Sequence, residues 1–168
     1  MKISEETRSI LKNFATINSG IKVDSGNQLK TISNMKNILA VAGVQETFDQ
    51  TFSIYNLTEF LGAVSLMETP DYEFNEQSVS ITDTNSAMTY FYASEGMVTS
   101  PEKMITMPDA EIKIDMSSTL LSELQKAASV LGVNDLVLSS DGTTIKLDVT
   151  DKKNATSNTF SRIVGEGN

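Results

Sequence analysis

An amphipathic helical segment followed by a strand hairpin occurs three times along this chain, and a repeated two-layer unit of that kind leaves few folds open. Residues 4–17 place Ile10, Leu11, Phe14 and Ile17 at the spacings of one helical face, with Arg8, Lys12 and Asn13 directed elsewhere. Ser4 is a natural N-cap, Glu5 and Glu6 complement the helix dipole, and Gly20 supplies a stop signal. The next stretch, GIKVDSGNQLKTIS, reads as two strands around a Ser25-Gly26 turn.

The pattern returns at Asn56, which forms a reciprocal cap with Glu59 ahead of Leu57, Phe60, Leu61 and Val64. Behind it, DYEFNEQSVSIT alternates around a turn at 75–77, and AMTYFYA adds a third strand. A third helix begins at Ser117 or Ser118, places Leu120, Leu121, Leu124, Ala128 and Leu131 on one face, and closes at Gly132. Its hairpin, DLVLSSDGTTIKLDV, turns at Asp141-Gly142. The units start near Ser4, Asn56 and Ser117, 52 and 61 residues apart, and strands at Phe48–Ile54 and Glu111–Met116 precede the second and third helices. No fourth copy is visible.

Helices segregated on one face of antiparallel sheets define an α+β class in which each helix must bury its apolar stripe. Each fully buried Leu or Phe there contributes roughly 1.5–3 kcal/mol. Gly96, Pro101 and Pro108 interrupt the periodic segments and mark the boundary between a first domain of residues 1–95, a connector of 96–109, and a partial second domain of 110–168.

The chain contains neither His nor Cys, which excludes thiol, zinc and His-dependent triad chemistry of the usual kinds. It carries no phosphate loop, nucleophile elbow or EF-hand motif, so an enzyme is not expected, and neither a catalytic residue, a metal site nor a cofactor is assigned. No apolar run approaches the roughly 20 residues that cross a bilayer, and the start MKISEETRS lacks a signal-peptide core, so the expected compartment is the cytoplasm. The net charge of −9 is sorted along the chain. Residues 1–36 carry six basic side chains against three acidic ones, whereas residues 37–102 carry ten acids and no Lys or Arg. Kept in space, that sorting gives a basic face for phosphate; the bland alternative is an acidic solvated surface.

The segments LKNFATINSGI (Leu11 to Ile21) and IYNLTEFLGAVSLM (Ile54 to Met67) closely resemble, in order and separation, the DNA polymerase sliding clamp family of T-even-type phages. The remainder resembles that family in pattern, through the helix-Gly-hairpin of the third unit and SNTFSRIV near the end. The resemblance implies the DNA clamp fold: a subunit of two similar domains, each of two helix-and-sheet units, with three subunits closed head to tail into a ring. Helices line the hole and face duplex DNA, and sheets form the outer wall. Against that pattern the sequence stops about one unit short. A shortened chain or incomplete reading frame is the simplest expectation; a short clamp that completes its domain by pairing with another copy is the alternative.

A clamp that slides needs weak, sequence-blind phosphate contacts, and eleven of the thirteen basic residues here are Lys. The resemblance implies Arg8, Lys12 and Lys126 as DNA-facing; the alternative is that they pair with Glu5 or Glu123 on the surface. Lys2, Lys22, Lys30 and Lys36 are weaker candidates, since hairpin lysines also blunt strand edges. Family clamps bind partner peptides beside the interdomain connector. Met97, Val98, Met104, Ile105 and Met107 match that place and form an adaptable apolar stretch; they could instead pin the connector to its own domain. The implied partners are duplex DNA, the DNA polymerase, a separate ATP-driven clamp loader and further copies of the chain, with no membrane. Competing readings are a phage virion or tail structural protein assembled head to tail, and a carboxylate-dependent nuclease.

Overall fold

The computed structural model describes residues 1–103, 106, 108–109 and 113–166. The chain divides into two compact units, Met1–Ile105 and Thr106–Asn168. Met104, Ile105 and Met107 of the connector reading, and Glu111 of the expected third-unit strand, lie outside the described residues.

In the first unit, helix α1 (Glu5–Ile17) precedes strands β1 (Ile21–Val23), β2 (Gly26–Ile32), β3 (Leu39–Phe48) and β4 (Phe52–Ile54). Helix α2 (Leu57–Val64) and strands β5 (Asp71–Phe74), β6 (Ser78–Thr82) and β7 (Ala87–Phe91) follow. All strand pairing is antiparallel: β1 with β4, β2 with β3, and β5-β6-β7 as a meander. The two strands expected as a hairpin around Ser25-Gly26 therefore take different partners, β1 reaching across to β4 with Ile21 opposite Ile54. The expected strand Phe48–Ile54 is likewise two elements, because the chain bends at Asp49 and Gln50.

One core unites the unit. Leu11 and Phe14 of α1 join Leu57, Phe60 and Val64 of α2 and the inward residues of the strands, among them Ile21, Leu29, Ile54, Val79 and Ile81. Aromatic rings close one end: Phe52 stacks on Tyr92 with centroids 5.0 Å apart and meets Phe48 edge-on at 5.8 Å.

Both helix starts follow their expected chemistry. The Ser4 hydroxyl accepts from Thr7 N at 3.2 Å, and Asn56 Oδ1 accepts from Glu59 N at 3.1 Å. Two details differ. Glu59 returns to the Asn56 side-chain amide, at 3.5 Å, and α1 ends on extended Asn18 instead of waiting for Gly20. Gly20 is required for space: a Cβ there would lie 2.9 Å from Ile54 O and 3.0 Å from Tyr55 O.

The second unit holds α3 (Ser118–Leu131) and a sheet of β8 (Asp135–Ser140), β9 (Thr144–Thr150) and β10 (Phe160–Glu166) in the order β10-β9-β8. Ser117 caps α3 through Leu120 N, and Gly132 ends it in the left-handed region at φ +67. Its core is small, formed by Leu124, Val133, Leu147 and Val149. Leu121, expected on the buried stripe, is exposed, and the described residues Lys113–Met116 lie in no strand. No helix among the described residues is long and apolar enough to cross a membrane.

Asp83, in the β6–β7 turn, fastens the loop after α2. It accepts from Glu68 N at 2.8 Å, from the Thr69 hydroxyl at 2.8 Å and from Thr84 N at 2.7 Å. Those hydrogen bonds, that from Thr69 foremost, hold its carboxyl at about 2. A depressed folded value means that the stabilisation is present above the unfolded aspartate value of about 4 and is lost as pH falls through 2. Asp83→Asn should therefore melt below the wild type at neutral pH, and the gap should close as melting is repeated from about pH 4 towards about pH 2.

Candidate nucleic-acid interface and connector groove

Arg8 and Lys12 stand on α1, whose start is capped by Ser4 and tied to a strand far along the chain. Glu46 of β3 accepts from Ser4 N through Oε1 and from the fully buried Thr7 hydroxyl through Oε2, both at 2.5 Å. Burial pushes the Glu46 carboxyl up, but the hydrogen bonds from Thr7 and Ser4 outweigh it and hold it below the usual glutamate range. With the apolar stripe turned inward, the polar face of α1 is set.

Arg8 and Lys12 occupy successive turns of that face and share an open groove of about 250 Å³ with Leu61, Ser65 and Glu68. They differ in freedom. Arg8 Nη2 donates to Glu5 Oε1 at 2.6 Å, its side chain is only 22% exposed, and its Nε is buried without a hydrogen-bond partner among the described residues. The surface-pair alternative thus describes one part of Arg8. Lys12 is exposed and forms no ion pair among the described residues. Beside it a second groove, about 390 Å³, runs between α1 and α2, walled by Leu61 and by the small side chains of Ala15, Thr16, Thr58, Gly62 and Ser65. Helix α2 contributes no basic residue to this surface.

Lys126 is exposed on α3 in the second unit, again without an ion pair among the described residues. Glu123, its expected partner, is 3.8 Å from Arg162 instead. A shallow groove of about 370 Å³ beside Lys126 is lined by Ala127, Val130, Leu131 and Phe160.

The weaker candidates sort by environment. Lys30 and Lys22 converge on Asp24 at 2.8 and 3.5 Å, and the hydrogen bond from Lys30 is the largest cause that lowers the Asp24 carboxyl. Lys2 and Lys36 are exposed, Lys36 with φ +56 in the β2–β3 loop.

The connector's described part lies against the first unit. Just ahead of it Ala93 N donates to Ser53 O at 2.8 Å; within it Pro101 is buried and Val98 packs inward, its Cγ1 3.1 Å from where a Gly20 Cβ would stand. Met97 is 58% exposed. Val98 therefore pins the connector while Met97 faces solvent. A groove of about 700 Å³ opens here, with Ile32, Val98 and Pro101 as apolar walls and Lys22, Lys36 and Lys103 among its charged ones. The sequence reading missed Asn18, whose buried amide donates to Ile32 O and Thr99 O, both at 2.9 Å. Its position after a helix, two residues before a glycine, was the available signal.

Among solved structures, proliferating cell nuclear antigen from Entamoeba histolytica matches with a TM-score of 0.57 at 15% identity, over 95% of this chain and 70% of that one. The β chain of DNA polymerase III from Streptococcus pneumoniae gives 0.54 at 15% identity, over 96% and 52%. The fold is the DNA clamp fold. No family profile matches the chain. The sliding clamp of Vibrio phage KVP40 is 31% identical over 172 residues, spanning 99% of this chain and 78% of that protein. The sliding clamps of Enterobacteria phage T4 and Escherichia phage RB69 are 31% and 29% identical over 82% and 83% of this chain, which spans 61% and 62% of their lengths. The chain belongs to the sliding-clamp family of T4-like phages, a family of processivity factors and not of enzymes. The virion-protein and nuclease readings give way to that membership, and among the described residues no group of three or more acidic side chains is placed to hold a metal ion.

The close approach of the Ile54 and Tyr55 carbonyls to Gly20 gives a direct test. Gly20→Ala should lower stability by about 1–3 kcal/mol through overpacking against two backbone carbonyls. A urea midpoint equal to the wild type's would refute that close approach.

Proposed function

We propose that the chain is a subunit of a ring that encircles duplex DNA and tethers the replicative DNA polymerase of its phage. Within that reading residues 1–95 are the first clamp domain, 96–109 the connector and 110–168 part of the second domain. The observation that carries it is Lys12: an exposed cation without an ion pair among the described residues, on the polar face of α1, beside a groove of mostly small side chains, in a chain of the clamp family. A mobile point charge suits contact with successive phosphates, and with Leu61 buried and its other neighbours small, the groove presents no wedge to catch a base.

Lys12 is the leading contact. Arg8 adds a partly neutralised guanidinium that retains further N–H donors, and Lys126 supplies the corresponding charge in the second unit. Subunits join head to tail, three to a ring where the second domain is complete, and a separate ATP-driven loader opens the ring on DNA. The connector groove receives a short segment of the polymerase, with Val98 on its wall and the exposed Met97 next to it in the chain; Met104, Ile105 and Met107 follow in sequence as further candidate contacts. The work is done in the host cytoplasm, where the DNA is.

Lys12→Gln removes about one phosphate contact, so the slope of log affinity for duplex DNA against log salt should fall by roughly 1, and clamp-dependent processivity should fall with it. An unchanged slope would remove Lys12 from the interface. Light scattering over a concentration series reads ring closure: a trimeric mass is the outcome expected of a ring-competent chain, and a monomeric mass throughout would mean that closure needs more than these 168 residues.

A further inference from the structure

Asn18 is 5% exposed, and each polar group of its side chain is used. Its Nδ2 donates to Ile32 O, 14 residues away, and to Thr99 O, 81 residues away, both at 2.9 Å. Its Oδ1 accepts from Gly20 N at 3.2 Å, and its own backbone N–H closes α1 on Phe14 O at 3.0 Å. One buried amide thus joins the end of α1, the end of β2 and the connector.

Ile32, Val98 and Thr99 form walls of the connector groove, whereas Asn18 does not line it. Gly20 completes the arrangement from the same turn, since its missing side chain is the space into which Val98 packs. The two residues act on the connector from beneath: one holds its backbone carbonyl and the other admits its side chain.

We propose that Asn18 is the positioning residue of the connector groove, holding Val98 and Thr99 at a fixed distance from Ile32 so that the groove is formed before a partner segment arrives. This rests on the reading of that groove as the partner-segment site. A wall already ordered adds no ordering cost on binding. Freed from Asn18, the connector has to be ordered by the partner itself, and two carbonyls lose their donor; affinity drops although no contacting residue has changed.

The test uses Asn18→Ala, and Asn18→Ser as a milder variant that keeps a polar group in the turn should the alanine form fold poorly. Two quantities are read on the whole chain: amide hydrogen exchange across residues 93–103, and the Kd for overlapping short peptides tiled across the DNA polymerase of the same phage. Exchange should quicken in the connector while α2 and β5–β7 stay protected, and Kd for the binding peptide should rise about tenfold. Unchanged connector exchange in a folded variant would overturn the proposal. So would faster exchange with an unaltered Kd, which would leave Asn18 a purely structural tie. If no tiled peptide binds the wild type, the groove reading fails and this inference fails with it, a result distinct from binding that ignores Asn18.

Discussion

Leu11 and Lys12 are neighbours in sequence and opposites in environment, and the burial of the first determines what the second can do. The stripe of Leu11 and Phe14 enters a core shared with α2 and with strands from both halves of the first unit, which fixes the rotation of α1 about its axis. Lys12 is then held outward by the same packing that makes the fold stable. The second unit follows the pattern with less material. Its helix buries Leu124 and exposes Lys126, but Val130, near the end of the same helix, is 77% exposed. A small core sets the helix less firmly than the large one does.

The electrostatic design is economical in cations. Lys22 and Lys30 are committed to Asp24, Arg8 in part to Glu5, Lys146 to Asp141 and Arg162 to Glu123. Lys12 and Lys126 are helical cations without such a commitment among the described residues. In a protein with 22 acidic residues, uncommitted positive charge is sparse, and under the proposed reading contacts made by such cations form and break singly, which suits movement along DNA better than a dense basic patch.

Local chemistry was legible in the sequence wherever one short segment determined the outcome. Ser4, Asn56 and Ser117 cap their helices as their side chains require, Gly132 ends α3 with positive φ, and the Asp141-Gly142 turn joins β8 to β9. What stayed hidden depends on residues far apart. Strand β3 carries Ala40, Ala42 and Gly43, poor strand formers held in place by pairing with β2. The partner of β1 proved to be β4, a choice that no local turn signal encodes. Arg8 showed its charge in the sequence but not its partial burial, because the groove it lines is completed by the end of α2 and the loop after it, residues 61–68. Asn18 reads as an ordinary helix end until Thr99 is brought beside it.

The cap on α1 has a consequence in time. Ser4 receives its carboxylate from Glu46, 42 residues later in the chain. On a ribosome the bond from Thr7 N to Ser4 Oγ can form as soon as the helix is synthesised, whereas the tie to Glu46 has to wait for β3. The first helix is therefore fastened to the sheet it rests on only after a loop of that length has closed, at an entropic cost that the local cap does not carry.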